Sequence, residues 1–334
     1  MKRINNLYDK IYELKNLYSA YYKARRRKQN KSDIIEYSTN LEKNIKELQN
    51  QLIEECCNVG NYKYFKINDP KERIICAADF KERVLHHAIV NILDKYFENY
   101  QIFDTYACRK DKGTHKAVKR AYIMAKSNEC YLKLDIRKYF DSVDHNVLKN
   151  QLRNKFKDKK LLKLLYKIID SYNTNKDKGI PIGNLTSQYF ANFYLSFMDK
   201  FIKNDLRIKS YVRYMDDFII FNNNSEEINE ILVKLKQYLQ DNLLLQIKPP
   251  IINKTGNGAP FLGFKIYNNK IILSKRSKTR FKNKFIEYER NYINNKWSMK
   301  ELIRHIEPLI GWTKISKSIG YRNFIIKKYG VISE

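Results

Sequence analysis

Two adjacent aspartates, Asp216 and Asp217, interrupt a pair of short strand-like runs in Tyr211-Val-Arg-Tyr-Met-Asp-Asp-Phe-Ile-Ile-Phe221, and few folds accommodate that pattern. Val, Ile, Tyr and Phe favour a pleated surface on either side, so the stretch reads as a β-hairpin with its acids at the tip. Met215-Asp216-Asp217 supplies none of the glycine that a relaxed two-residue turn prefers, and the turn is expected to be strained for a purpose. Two like charges fixed side by side repel, so a cation should sit between or beside them, a divalent metal being the simplest. An ordinary acidic surface turn is the competing reading of these residues alone.

The chain around this hairpin is long enough to bury a sizeable core. Its 334 residues are 43% apolar and 13% aromatic, which suits one extended domain or about two to three subdomains. The 65 Lys+Arg against 36 Asp+Glu give +29, spread along the whole length, the footprint of a polyanion-binding protein. An AT-rich genome inflates Lys, but that bias would normally bring Glu with it, and here it does not. Cys56, Cys57, Cys76, Cys108 and Cys130 show no paired metal spacing, which fits a reducing cytoplasm. No apolar segment follows Met1-Lys-Arg-Ile-Asn-Asn, and no window reaches about 18 uninterrupted apolar residues. A cytoplasmic protein with no membrane partner is expected.

Residues 1–60 read as a basic helical extension. Leu7, Ile11, Leu14, Leu17 and Tyr21 recur at helical spacing, as do Leu41, Ile45, Leu48 and Leu52. Between them lie Arg25, Arg26 and Arg27, a cluster suited to phosphate contact rather than only to a solvated face. Tyr62–Ile67, a turn at Asn68-Asp-Pro70 and Lys71–Ala77 form a hairpin with Lys71 and Arg73 near its return. Asp79 suits the N-cap of the next helix, on which His86 and His87 are structural. Arg109, Lys110 and Lys112 precede Gly113 in a loop that opens another helix, an arrangement suited to phosphate.

Cys130-Tyr-Leu-Lys-Leu-Asp135-Ile136 alternates, with Leu132, Leu134 and Ile136 on one face and Tyr131, Lys133 and Asp135 on the other. Asp135 thus sits near a strand end on a polar face. Asp144 caps a following helix, and Gly179–Gln188 is a small-residue loop opening an apolar one. Phe261-Leu262-Gly263-Phe-Lys-Ile266 reads as one more strand. From Ser274 the chain is helical and basic, with Phe281, Phe285, Tyr288 and Tyr292 as a stripe and Lys278 and Lys282 among the crowded cations. Ser298-Met-Lys-Glu301 is a capping box. Asp135 and the Asp216-Asp217 pair become informative together, because three carboxylates on adjacent strands can hold two Mg²⁺ ions roughly 3.5–4 Å apart, the arrangement for in-line nucleotidyl transfer.

With these stretches in place the sequence resembles reverse transcriptases. Tyr214-Met-Asp-Asp217 is similar to the family's catalytic box. Leu134-Asp135-Ile136 followed by Phe140 is similar to the motif with the first metal ligand and an aromatic gate against a ribose 2′-OH. The resemblance implies an α+β right-hand polymerase with fingers, a palm built on an antiparallel sheet, and a short helical thumb. Fingers and palm are expected within 61–271 and the basic thumb within 272–334. It implies catalytic Asp135, Asp216 and Asp217, a metal set of those three with Ile136, and two Mg²⁺ ions, with Mn²⁺ as an in-vitro substitute. It also implies dNTP contacts from Lys71, Arg73, Phe140, Ile182 and Gln188, and a primer grip at Phe261, Leu262 and Gly263. Lys278 and Lys282 would follow the template–primer duplex. Lys248-Pro-Pro-Ile-Ile-Asn-Lys254-Thr255 replaces a plain Lys-Thr signal, leaving the general-acid lysine unassigned.

Tyr106–His115, Asp135–Ser142 and above all Gly183-Asn-Leu-Thr-Ser-Gln188 look like the reverse transcriptases of diversity-generating retroelements. Those enzymes copy a template-repeat RNA into cDNA with errors at adenines, and the cDNA replaces a variable region of a target gene. Ile182 stands where retroviral enzymes have Gln, which removes a hydrogen bond near the nascent pair; apolar contacts alone discriminate by only about 1–3 kcal/mol. The implied partners are a structured template RNA, an RNA/DNA duplex, dNTPs and a small basic accessory protein. Two alternatives stand beside this reading: an antiphage-defence reverse transcriptase using a companion non-coding RNA, and a non-catalytic RNA-binding scaffold.

Overall fold

The computed structural model describes residues 3–68 and 72–330, arranged as two compact units that interleave along the chain. The first takes the described residues within Met1–Ile102, Arg137–Ile202 and Lys236–Gln246; the second takes those within Phe103–Ile136, Lys203–Leu235 and Ile247–Glu334. In chain order come α1 (Tyr8–Ile11), α2 (Leu14–Arg25), α3 (Ser32–Thr39), α4 (Leu41–Ile53), β1 (Tyr62–Asn68), β2 (Glu72–Ala78), α5 (Phe80–Glu98), α6 (Thr114–Lys126) and β3 (Cys130–Asp135). Then follow α7 (Tyr139–Ser142), α8 (His145–Lys155), α9 (Lys159–Asp170), α10 (Leu185–Lys200), β4 (Tyr211–Tyr214), β5 (Asp217–Asn222) and α11 (Ser225–Leu243). The rest is β6 (Ile251–Lys254), β7 (Ala259–Phe261), β8 (Phe264–Ile266), β9 (Ile271–Leu273), α12 (Lys275–Ile293), α13 (Met299–Thr313) and α14 (Ile319–Tyr329).

In the first unit, the single helix expected across Leu7–Tyr21 is broken between Ile11 and Leu14. Tertiary hydrogen bonds fix the break. The Asp158 carboxylate accepts from the Leu7 and Tyr8 amides at 2.8 and 2.9 Å, and the Asn16 side chain donates to the Ile11 and Ala88 carbonyls at 2.9 and 3.0 Å. The expected caps are present: Asp79 accepts from the Glu82 amide and Asp144 from the Val147 amide. His86 is buried against Glu82 at 3.3 Å, and burial pushes His87 down to about 4, so both imidazoles belong to the α5 core. The turn expected at Asn68-Asp-Pro70 lies, after Asn68, outside the described residues, as does Lys71.

The second unit is organised by an antiparallel sheet in the order β4-β5-β3-β6, with a three-stranded sheet β7-β8-β9 beside it in sequence. The face of β3 expected to be polar is polar only at its acid end. Tyr131 is buried in a cluster with Val212, Ile219, Phe221, Phe261 and Phe264, closed over by Ala117, Val118 and Ala121 of α6. Phe261–Ile266 is a hairpin and not one strand. Leu262 and Gly263 both take positive φ, +48° and +86°, and a Cβ at Gly263 would lie 2.9 Å from Ser277 Oγ. The aromatic stripe of α12 folds as expected, with Phe281 and Phe285 buried against Ile325, and Ser298–Glu301 closes its capping box. All five cysteines are free thiols. Among the described residues, no helix is long and apolar enough to cross a membrane.

Candidate active site

Strand pairing brings the sequence-distant acids together within the second unit. Asp135, the last residue of β3, lies directly opposite Asp217, the first of β5, and Tyr214 pairs with Asp217 on the other side. Met215 and Asp216 therefore form a two-residue hairpin loop. Met215 adopts φ +55°, a left-handed conformation that costs a non-glycine residue roughly 1–2 kcal/mol, so the strain expected from the missing glycine is present. Arg213, fully buried, braces the turn by donating from Nη1 to the Met215 carbonyl at 3.0 Å. The Ile136 amide donates to the Asp216 carbonyl at 3.3 Å, tying the loop to the end of β3.

Two lysines flank the acids. Lys133 Nζ lies 2.6 Å from Asp217 Oδ1, both side chains being largely buried. Strand alternation explains the contact, since Lys133 is two residues before Asp135 on the same face and diagonal to Asp217. Lys248 Nζ contacts Asp135 Oδ1, and its amide donates to the Asp135 carbonyl at 2.8 Å. Burial pushes the Asp217 carboxyl up to about 6; Lys133 opposes the shift, and the charges of Asp135 and Asp216 add to it. Lys133 is thus the close counter-charge of Asp217 Oδ1, a buried oxygen whose geometry toward the ammonium falls outside a regular hydrogen bond. Among the described residues, no three His, Cys, Asp or Glu side chains are grouped to hold an ion as they stand. The donor set nonetheless fits a hard divalent cation: opposed carboxylates already drawing ammonium groups.

The expected dNTP contacts fall in the first unit. Arg73 is exposed on β2 opposite Ile67. The Phe140 carbonyl accepts from the Ile180 amide at 2.9 Å and the Ile182 carbonyl from the Cys76 amide at 2.8 Å, so Phe140, the 179–183 loop and β2 are laced together. Gly183, at φ +129°, is where this loop meets β2: a Cβ there would lie 2.8 Å from Ile75 Cγ2 and 2.9 Å from the Cys76 carbonyl. Gln188 is half-buried in the first turn of α10. Of the basic cluster, Arg26 and Arg27 are exposed, whereas Arg25 donates to the Tyr21 hydroxyl at 2.7 Å.

In the second unit, Arg109 bonds its own loop at the Thr105 carbonyl, 2.9 Å, and Lys112 bonds the Phe103 carbonyl at 2.8 Å; Lys110 is exposed. Phe261 is buried, which leaves Leu262 and Gly263 as the turn. Lys278 and Lys282 lie over the rings of Tyr321 and Tyr329 at 5.6 and 5.4 Å. Three site residues went unassigned in the sequence: Lys133, Arg213 and Lys248. Period-two spacing from Asp135 marks Lys133, but nothing local marks a buried arginine in a strand.

The model of the family "Reverse transcriptase (RNA-dependent DNA polymerase)" matches residues 66–266. The group II intron-encoded protein LtrA of Lactococcus lactis is 25% identical over 259 residues, 72% of this chain and 43% of LtrA. A putative COX1/OXI3 intron 2 protein of Saccharomyces cerevisiae is 25% identical over 152 residues, 43% of this chain and 17% of that protein. The chain thus spans less than half the length of these curated relatives. The solved structure of apo telomerase from Candida tropicalis, truncated from its C-terminal domain, shares the fold with a TM-score of 0.51 at 15% identity, covering 64% of this chain and 55% of that one. The mixed helices and antiparallel sheets are those of a right-hand polymerase. By the family match across most of its length, the chain belongs to the reverse transcriptases.

Proposed function

We propose that this chain is an RNA-directed DNA polymerase that uses Asp135, Asp216 and Asp217 as its metal-binding carboxylates. The observation that carries the reading is the direct cross-strand opposition of Asp135 and Asp217 beside Asp216 in a braced, strained turn. When bound there, two Mg²⁺ ions would lower the pKa of a primer 3′-OH and neutralise a leaving pyrophosphate. The chain's own residues position these acids: β3 and β5 fix the separation of Asp135 and Asp217, and Arg213 holds the loop carrying Asp216. Arg73, Phe140, Ile182 and Gln188 are the proposed dNTP contacts, with Lys71 beside Arg73 in sequence. The basic helices after residue 272 are the proposed thumb along the RNA/DNA duplex, and affinity for it should fall steeply with salt.

The finer reading is an error-prone enzyme of a diversity-generating retroelement, working with a template-repeat RNA and a small basic accessory protein. It is supported by Ile182 in the 179–183 loop and Gln188 in the first turn of α10. Primer extension on an RNA template with Mg²⁺ and dNTPs tests the activity: Asp216→Ala and Asp217→Ala should each abolish DNA synthesis, and unchanged synthesis would remove the metal assignment. Sequencing the products tests the finer reading. Errors should concentrate opposite template adenine and decline in Ile182→Gln; uniform low error would sink the retroelement role and spare the polymerase.

A further inference from the structure

Helices α12 and α13 enclose a cavity of about 300 Å³ on the face that carries Arg280, Lys284 and Arg304. Its other conspicuous lining is aromatic: Tyr288, His305 and Trp312. His305 stacks on Trp297 with ring centroids 4.2 Å apart and an interplanar angle of 10°, and Tyr288 lies 5.4 Å from each of these rings, so two of the lining rings belong to one aromatic cluster. Pro308 also lines it.

Rings and cations in a space this small narrow the ligand. About 300 Å³ is the lower end of small-molecule sites, enough for one planar group and its sugar. Flat rings stack on flat ligands, and the basic side chains make the wall suited to phosphate. We propose that this cavity captures one unpaired nucleotide of RNA, its base against the rings and its flanking phosphates on Arg280, Lys284 and Arg304. A base inside a duplex cannot enter, because its faces are already covered by its neighbours in the stack. The choice of RNA over DNA rests on the polymerase reading: DNA made on an RNA template is born paired, and the strand with unpaired nucleotides is the template.

Of the chain's two tryptophans, Trp312 lines the cavity and Trp297 stacks on its lining residue His305. Their emission therefore reports on base stacking at the cavity with no added label. A short single-stranded oligoadenylate should quench it saturably, whereas a blunt RNA–DNA duplex and inorganic polyphosphate should not. Arg304→Gln and His305→Ala alter exposed residues; each should weaken oligoadenylate binding, His305→Ala by at least about five-fold, the lower range for one stacked base. Quenching by duplex or polyphosphate as strong as by oligoadenylate would reduce the cavity to a general anion surface and overturn the proposal. Oligoadenylate binding that leaves emission unchanged, or that both variants retain at full strength, would overturn it equally. Loss of primer extension with quenching intact would instead count against the polymerase reading and its choice of RNA, not against the nucleotide pocket.

Discussion

Replacing Asp217 by asparagine should make the metal-free protein more stable at neutral pH and destroy its activity. The carboxyl of Asp217 titrates near 3.8 in an open environment and is pushed up to about 6 in the fold, mainly by burial. Between these values the folded protein holds a proton that the unfolded chain has released, so stability falls as pH rises through that window. Above it, the ionised carboxylate costs about 3 kcal/mol. Lys133 already contributes to that balance, so its attraction is not subtracted again. The substituted amide keeps the size of the protonated acid and never ionises. In EDTA, urea unfolding of Asp217→Asn and the parent should therefore give a stability difference that grows by about 3 kcal/mol in favour of the variant between about pH 3 and about pH 7. A divalent ion that binds only the folded parent should then narrow the gap by mass action. A difference that is flat with pH, or that shrinks as pH rises in EDTA, would refute the claim that the fold imposes an unfavourable charge at this position.

Lys133→Met removes the ammonium held 2.6 Å from Asp217; it should cost about 3 kcal/mol without metal, and Mg²⁺ should recover part of the loss in a thermal melt. An equal loss with and without Mg²⁺ would show that the lysine is not acting as a counter-charge. Gly183→Ala places a Cβ 2.8 Å from Ile75 and 2.9 Å from the Cys76 carbonyl at φ +129°; chemical denaturation should show a loss of about 2 kcal/mol or more. Lys248→Leu should slow nucleotide incorporation strongly and Lys254→Leu should leave single-turnover rates unchanged.

Local chemistry made much of this legible in the sequence. The Tyr211–Phe221 hairpin follows from β-forming runs around a polar pair, and Asp79, Asp144 and Ser298 cap helices because the cap is a property of the first turn alone. What failed was decided by partners far away in the chain. Asn16 and Asp158 break a helix that its apolar spacing would continue. Tyr131 is buried on a strand face that alternation marks as polar, because α6 and the Phe261–Phe264 hairpin cover it. At Leu262-Gly263 the apolar run hides a turn, since the residues on both sides of it are core. Lys133 was readable from its spacing to Asp135, but its importance appears only once the register sets Asp217 opposite.

That register also separates the two lysines that the sequence left equivalent. Strand β6 runs antiparallel to β3 with Lys254 opposite Cys130 and Ile251 opposite Lys133. Cys130 and Asp135 are the two ends of β3, so at about 3.4 Å per residue Lys254 sits roughly 17 Å along the sheet from the acids, beyond the reach of its side chain. Lys248 precedes β6 at the opposite end. Its amide is bonded to the Asp135 carbonyl and its ammonium to the Asp135 carboxylate, so backbone and side chain hold it to the same residue. On the proposed metal site, a proton donor for the leaving group would have to lie near Asp135, Asp216 and Asp217; the sheet brings Lys248 there and not Lys254. With Lys133 on Asp217 and Lys248 on Asp135, the fold assigns one lysine to each of two acids that would otherwise face each other uncompensated. The same pairing makes the acids tolerable without a divalent ion and would leave an ammonium beside one bound at the proposed site.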